Sequence, residues 1–128
     1  MTTAIRKSTP VLFVDAIEPS VAFWERLGFA VTMSVPHGDQ LGFAILVRDD
    51  VELMYQSAAS IAGDMPALAP HARDRSFLFV EVDDVDAIAT ALAGHEIFQP
   101  RRQTFYGSTE IGYREPGGHF VTFAMFAR

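Results

Sequence analysis

The hydrophobic and polar positions of this chain follow the same order twice. In each half, short runs rich in β-branched and aromatic residues alternate with turn residues, and one segment has helical spacing. Gly28 marks the end of the first helical segment, and polar turns at 36–39 and 48–50 separate the strands that follow it. The first half is therefore predicted to contain a strand, a helix and three strands, at 10–14, 18–27, 29–35, 41–47 and 51–56.

The second half repeats this βαβββ order. Leu12-Phe13-Val14 recurs as Leu78-Phe79-Val80 and Gly28 recurs as Gly94, with the same offset of 66 residues (12 to 78 and 28 to 94). A repeat of this length indicates a duplicated half-domain and not a solenoid array. The second set of predicted elements is a strand, a helix and three strands, at 77–82, 84–93, 96–98, 110–114 and 120–126.

The repeat predicts an α+β fold of two tandem βαβββ modules within one domain of residues 1–128. The modules are assigned to 8–57 and 75–128. The linker at 58–74 is rich in Ala and Pro, and it is predicted to form a helical turn around 60–63 and to act as a lid over a cleft.

Composition narrows the classes of partner. The 128 residues are 49% apolar and 20% charged, which suits one globular core. A net charge of −6, with scattered basic residues, argues against a nucleic-acid partner. There is no apolar run long enough to span a membrane and no signal-peptide core at the N-terminus, so we expect a cytoplasmic protein without a membrane partner.

Several kinds of chemistry are excluded or disfavoured by residue type. Cysteine is absent, which excludes disulfides, thiolate metal ligands and cysteine nucleophiles. Gly117 and Gly118 precede a strand, so they indicate a turn and not a phosphate-binding loop. Four histidines lack metal-binding spacing and are expected to be solvated or locally hydrogen-bonded: His37, His71, His95 and His119.

The aromatic residues are mostly expected in the core. Trp24, on the first helix, is predicted to pack between helix and sheet. Tyr106 is different, because it lies in an irregular loop where core packing is a poorer explanation. The strand phenylalanines expected to be buried are Phe13, Phe77, Phe79 and Phe123.

Four segments, taken together and in order, resemble the vicinal oxygen chelate superfamily. They are Pro-Val-Leu at 10–12, Ala-Phe-Trp-Glu-Arg-Leu-Gly-Phe at 22–29, Val-Arg-Asp-Asp-Val-Glu-Leu at 47–53 and Arg-Glu-Pro-Gly-Gly-His at 114–119. That superfamily includes glyoxalase I, extradiol dioxygenases and bleomycin resistance proteins, and the chain is most similar to the last of these. The resemblance implies curved mixed sheets around a cleft, a small organic ligand and a homodimer.

The same resemblance implies that no metal or other cofactor is bound. Metal-using members place a His on the first strand and a Glu on the last strand of each module. These positions fall at about Thr9, Glu52, Phe77 and Thr122 in this chain. Only Glu52 is a strong metal ligand, and a metal site needs several such donors around one point.

The resemblance therefore implies metal-independent binding of a cationic or aromatic compound, with no catalytic residue assigned. The alternative is a lyase, isomerase or dioxygenase of the same superfamily, using a divalent metal or using Glu52 as a base. Two readings of Glu52 stay open: it pairs with a basic neighbour or solvent, or it faces the ligand cleft. Tyr106 and Glu110 match an aromatic residue and a glutamate of the bleomycin resistance proteins. The candidate ligand-binding residues are Glu52, Met54, Phe77, Tyr106, Glu110 and Thr122.

Overall fold

The computed structural model describes residues 2–127, which form two similar halves joined by a helical connection. The first half contains β1 (Val11–Val14), α1 (Glu18–Glu25), β2 (Ala30–His37), β3 (Gln40–Arg48) and β4 (Val51–Ser57). The connection contains α2 (Ala58–Asp64) and a 3-10 helix (Pro66–His71). The second half contains β5 (Phe77–Glu81), α3 (Val85–Ala91), β6 (Ile97–Gln103), β7 (Ser108–Arg114) and β8 (Phe120–Phe126).

Each half forms one four-stranded mixed sheet. The strand order is β1-β4-β3-β2 in the first sheet and β5-β8-β7-β6 in the second. β1 runs parallel to β4 and β5 runs parallel to β8, while the other pairs are antiparallel. The predicted α+β class with two βαβββ modules is confirmed. No helix within residues 2–127 has the length and apolar character that crossing a bilayer requires.

The largest difference from the predicted extents is in β6. The strand predicted at 96–98 is too short, since β6 continues to Gln103. β6 is an edge strand whose pairing with β7 is interrupted between Gln99 and Arg102, so Pro100 is accommodated in the irregular stretch. The helical turn predicted at 60–63 is confirmed within the longer α2, where Ser57 Oγ accepts a hydrogen bond from Ser60 N.

Both sheets pack against one shared core. Side chains alternate along a strand, so the residues between the core positions form a second face on each sheet. We call these the outer faces, and the shared core separates them. The first sheet and α1 contribute Leu12, Val14, Leu46, Leu53, Tyr55, Phe23 and Trp24 to the core; the second sheet and α3 contribute Ile111, Tyr113, Val121, Phe123 and Ile88.

This alternation corrects the expectation for three phenylalanines. Phe13 of β1 is only half-buried and lies outside the core cluster. Phe123 is buried in the core as predicted, and Trp24 is buried between α1 and the sheets. Phe77 and Phe79 were expected in the core, but their exposures are 65% and 50%. The expectation is wrong because Phe79 lies opposite Thr122, on the face of the second sheet that points away from Phe123.

A buried chain of hydrogen bonds joins the two halves. Trp24 Nε1 donates to Tyr55 Oη at 2.8 Å, and Tyr55 Oη donates to Glu115 Oε2 at 3.0 Å. The other carboxylate oxygen, Oε1, accepts from His119 N at 2.9 Å. Burial raises the pKa of Tyr55 well above its ordinary value, so the phenol remains a donor. We call this set of four residues the inter-module network.

His119 extends the network to both opening strands. Its Nδ1 accepts from Ser76 N at 2.9 Å, and its Nε2 lies 2.7 Å from the oxygen of Phe13. Because Nδ1 is an acceptor, Nε2 carries the proton and the ring is neutral. Burial lowers the pKa of His119, which favours this neutral form. The expectation of a solvated or locally bonded histidine is wrong here, since the ring is buried and contacts the first half of the chain.

Replacing Tyr55 by Phe is expected to destabilise the fold by about 1–3 kcal/mol. The change keeps the ring but leaves the indole N–H of Trp24 and one oxygen of Glu115 without their partner. Urea unfolding at fixed protein concentration measures the free energy. Tyr113→Phe is the matched control: Tyr113 is also buried, but residues 2–127 provide no hydrogen-bond partner for its hydroxyl, so a change under about 1 kcal/mol is expected. Equal losses in the two variants would contradict the role of the network.

Candidate functional site

Aromatic rings lie in a row on the outer face of the second sheet. The ring centroids of Phe79 and Phe126 are 6.3 Å apart, and those of Phe126 and Tyr106 are also 6.3 Å apart. These separations are within the range of aromatic pairing. We call Phe79, Phe126 and Tyr106 the aromatic row. It crosses from β5 over β8 to the loop before β7 and leaves ring surface open to solvent.

A second aromatic group covers the other end of the same face. Phe98 of β6 contacts Phe77 and Phe120, with ring centroids 6.4 and 5.1 Å apart. The Phe98 ring lies directly over Gly112, and a Cβ added at this position would overlap the ring and displace it. The guanidinium of Arg114 lies 5.6 Å from the centre of the Phe120 ring, at cation–π distance.

A buried carboxylate holds one end of the aromatic row. Glu110 is only 2% exposed. Its Oε2 accepts a short hydrogen bond from the Tyr106 hydroxyl and a 2.7 Å bond from Ser108 Oγ, and its Oε1 lies 3.4 Å from Arg102 Nη2. We call these four residues the Glu110 cluster. The carboxylate is already supplied with donors from within the chain, and the side chain of Arg102 is 52% exposed.

Glu52 lies on the outer face of the first sheet, with Met54 two residues further along the same strand face. Its Oε2 contacts Lys7 Nζ at 2.6 Å and accepts from Thr9 Oγ1 at 2.9 Å. The bond from Lys7, followed by that from Thr9, lowers the pKa of Glu52. Glu52 thus has a basic neighbour as its partner and also lies on the outer face of the first sheet.

The candidate ligand residues fall into two groups. Tyr106 and Glu110 are in direct contact, and Thr122 and Phe77 share the outer face of the second sheet with them. Glu52 and Met54 are on the outer face of the first sheet, across the shared core. One chain therefore does not bring Glu52 and Glu110 to one site.

Sequence reasoning missed four residues that belong to these faces: Lys7, Phe79, Arg102 and Phe126. A usable signal existed for two of them. Phe126 has the same strand parity as Thr122, so placing Thr122 in a site also places Phe126 on that face. Phe79 follows from Phe77 by the same parity. No local pattern in the sequence identified the two basic residues, Lys7 and Arg102.

The positions equivalent to the metal ligands of the resembling superfamily do not fit a metal. Thr9 and Thr122 provide hydroxyls, Phe77 provides a hydrocarbon ring, and Glu52 is bonded to Lys7. Within residues 2–127, no three His, Cys, Asp or Glu side chains come together in a metal-binding group. This donor set does not match a site built from imidazole and carboxylate ligands.

A cavity of about 720 Å³ adjoins the aromatic row at the end of the second sheet. It shares Phe126 with the aromatic row and Ser108 with the Glu110 cluster. A volume of this size is typical of pockets for small organic molecules. Its remaining lining comes from the loop before α3, from the β6–β7 loop with the adjoining strand ends, and from the end of the chain at β8: Asp83, Gln103, Thr104, Gly107, Thr109, Met125 and Ala127.

The fold and the sequence together define the family. The model of the Glyoxalase/Bleomycin resistance protein/Dioxygenase superfamily matches residues 8–123. The chain belongs to this superfamily. A search of curated proteins gave no match.

Solved structures agree on the fold. A glyoxalase/bleomycin resistance protein/dioxygenase from Nocardioides is 24% identical with a TM-score of 0.74, covering 99% of this chain and 87% of that one. The bleomycin-binding protein of bleomycin-producing Streptomyces verticillus, complexed with copper(II)-bleomycin, is 23% identical with a TM-score of 0.65, covering 99% and 100%. TioX from Micromonospora sp. ML1 is 21% identical with a TM-score of 0.74, covering 95% and 99%. At these identities the likeness shows the fold.

The purified protein is expected to carry no stoichiometric metal, because the equivalent positions provide one engaged carboxylate and no imidazole. Elemental analysis after dialysis measures this, with a metal-binding member of the superfamily as the positive control. One zinc, nickel, iron or manganese ion retained per chain would contradict the expectation.

Proposed function

We propose that this protein binds a small aromatic compound without a metal ion, as a sequestering protein of the bleomycin-resistance type. The observation that carries the proposal is the aromatic row on the outer face of the second sheet, beside a cavity of about 720 Å³. Exposed rings held in a row offer stacking surface to a planar ligand.

The anchoring of Tyr106 supports this role. Its ring is partly exposed, while its hydroxyl is bonded to the buried Glu110. A ring held in place before binding loses little conformational entropy when a ligand stacks on it. Stacking, and not pairing with a carboxylate, therefore carries the proposal, because both Glu52 and Glu110 already have a cation of the chain as partner.

The lowered pKa of Glu52 favours a binding function over a catalytic one. A general base works best with a pKa near the working pH. The contacts with Lys7 and Thr9 shift the pKa of Glu52 in the opposite direction, below its ordinary value. These contacts make Glu52 a weak base and speak against the metal-free enzyme considered as the alternative.

We further propose that the site is completed in a homodimer. The outer face of the first sheet exposes Met33 and Val35 on β2, and that of the second sheet exposes Phe77 and Phe79 on β5. Apolar faces of this kind mark interaction surfaces. If the first sheet of one protomer faces the second sheet of its partner, Glu52 and Glu110 line one cleft.

A neutral bicyclic aromatic, naphthalene-2-carboxamide, is expected to raise the melting temperature of the protein, while its fully saturated analogue is not. At about 100 times its dissociation constant a ligand stabilises the fold by about 2.7 kcal/mol, which a thermal-shift assay detects. Bleomycin is included because the bleomycin-binding protein shares the fold.

Tyr106→Ala is expected to weaken this binding by about 0.5–1.5 kcal/mol, the size of an aromatic pair. Tyr106→Phe keeps the ring and removes only its bond to Glu110, so it is expected to lose less affinity than Tyr106→Ala. If neither aromatic compound stabilises the protein, or if Tyr106→Ala binds as well as the wild type, the proposed function is wrong.

Light scattering after size-exclusion chromatography is expected to give twice the 14.1 kDa mass of one chain. Met33→Asp places a charge on the outer face of the first sheet and is expected to shift the protein toward the monomer. Ala22→Asp, at an exposed position of α1, is the control that should remain dimeric. A monomeric wild type at micromolar concentration would contradict the dimer.

A further inference from the structure

The ligand charge that the site prefers depends on which charged group of the Glu110 cluster faces the ligand. Glu110 is 2% exposed, and its carboxylate already accepts from Tyr106 and Ser108 and contacts Arg102. Arg102 is the exposed member, with 52% of its side chain accessible. A ligand that approaches this end of the aromatic row therefore meets a guanidinium before it meets the carboxylate.

Most hydrogen-bond donors of the Arg102 guanidinium are not used within residues 2–127. A guanidinium has five N–H groups in a planar fork. Within residues 2–127 its only hydrogen bond is the contact from Nη2 to Glu110, and at 3.4 Å this lies beyond the usual N–H···O range. The contact orients the guanidinium without using most of its donors. A planar carboxylate accepts two parallel bonds from such a fork.

The guanidinium is placed at the end of the aromatic row. Tyr106 and Arg102 contact the same carboxylate, Tyr106 pairs with Phe126, and Phe126 pairs with Phe79. A planar compound lying along the row has its rings against these side chains and its end at Arg102. Resting on the function proposed above, we propose that the site selects aromatic acids, with Arg102 receiving the carboxylate of the ligand.

The net charge of the chain predicts the opposite preference, for a cationic ligand. An experiment can therefore distinguish the two predictions. With a net charge of −6, long-range attraction favours a cation. A preference for an acid can therefore come only from the local arrangement at Arg102. In the complex, the guanidinium lies between two carboxylates, that of Glu110 beneath it and that of the ligand above it.

The test compares three compounds that share one ring system and differ in charge. They are naphthalene-2-carboxylate, naphthalene-2-carboxamide and 2-naphthylmethylammonium. Isothermal titration calorimetry with the wild-type protein is expected to give the tightest binding for the carboxylate. Its advantage over the amide should decrease with added salt, since an ionic contact at a half-exposed group is screened.

Arg102→Gln is expected to weaken carboxylate binding by roughly ten- to hundred-fold and to leave amide binding nearly unchanged, as for the loss of a hydrogen bond to a charged group. Arg101→Gln is the matched control. It removes the same charge one position earlier, where Arg101 Nε lies 3.1 Å from Asp86 of α3 and away from the aromatic row. Circular dichroism reports whether each variant is folded, and the three-compound comparison on the wild type does not depend on any variant.

The outcomes separate this inference from the proposed function. Equal affinities for the carboxylate and the amide, or tighter binding of the ammonium compound, overturn the role of Arg102 while the aromatic site stands. Equal losses in Arg101→Gln and Arg102→Gln also overturn it, because the effect would then be one of general charge. If none of the three compounds binds, the aromatic site itself is refuted, and the inference with it.

Discussion

The two sheets bury their helix-covered faces against the same core, and this constraint decides where each candidate residue lies. Side chains alternate along a strand, so every residue next to a core position points to an outer face. The outer faces carry several exposed apolar side chains, and within residues 2–127 the N-terminal arm and α2 partly cover that of the first sheet. Exposed apolar patches commonly mark interaction surfaces of proteins. The shared core thus leaves the remaining strand side chains on two faces that point away from each other.

The inter-module network fixes how these faces are related. Its members come from α1, β4 and the turn between β7 and β8, so it crosses between modules where apolar packing alone would allow small shifts. Buried polar groups demand specific partners, and a core that contains them has fewer acceptable arrangements. Gly117 adds a steric requirement, because any Cβ there would overlap the side chain of Val14. The network and the close approach hold the halves in one arrangement.

The order of elements was predictable from the sequence because it depends on local periodicity and on glycines at helix ends. The face of the sheet on which each side chain lies was not predictable in this way. Phe77 and Phe79 have the composition of core residues, and only the register of β5 against β8 shows that they point outward. The full length of β6 depends on an irregular pairing across Pro100 that no local pattern reports. Lys7 lies far from Glu52 in the sequence, so their contact exists only after β1 and β4 are paired.

The carboxylates of Glu52 and Glu110 were singled out from the sequence, but their chemistry follows from their partners in the structure. A buried carboxylate persists as an ion only when donors or cations compensate its desolvation. Tyr106, Ser108 and Arg102 contact the carboxylate of the buried Glu110, and Lys7 and Thr9 contact that of Glu52, which is only half-buried. In each pair the carboxylate is the less exposed member and the cation the more exposed one, at 18% against 59% for Glu52 and Lys7. The acidic residues therefore hold the basic residues in place, and the basic residues are the more exposed charged groups of the two outer faces.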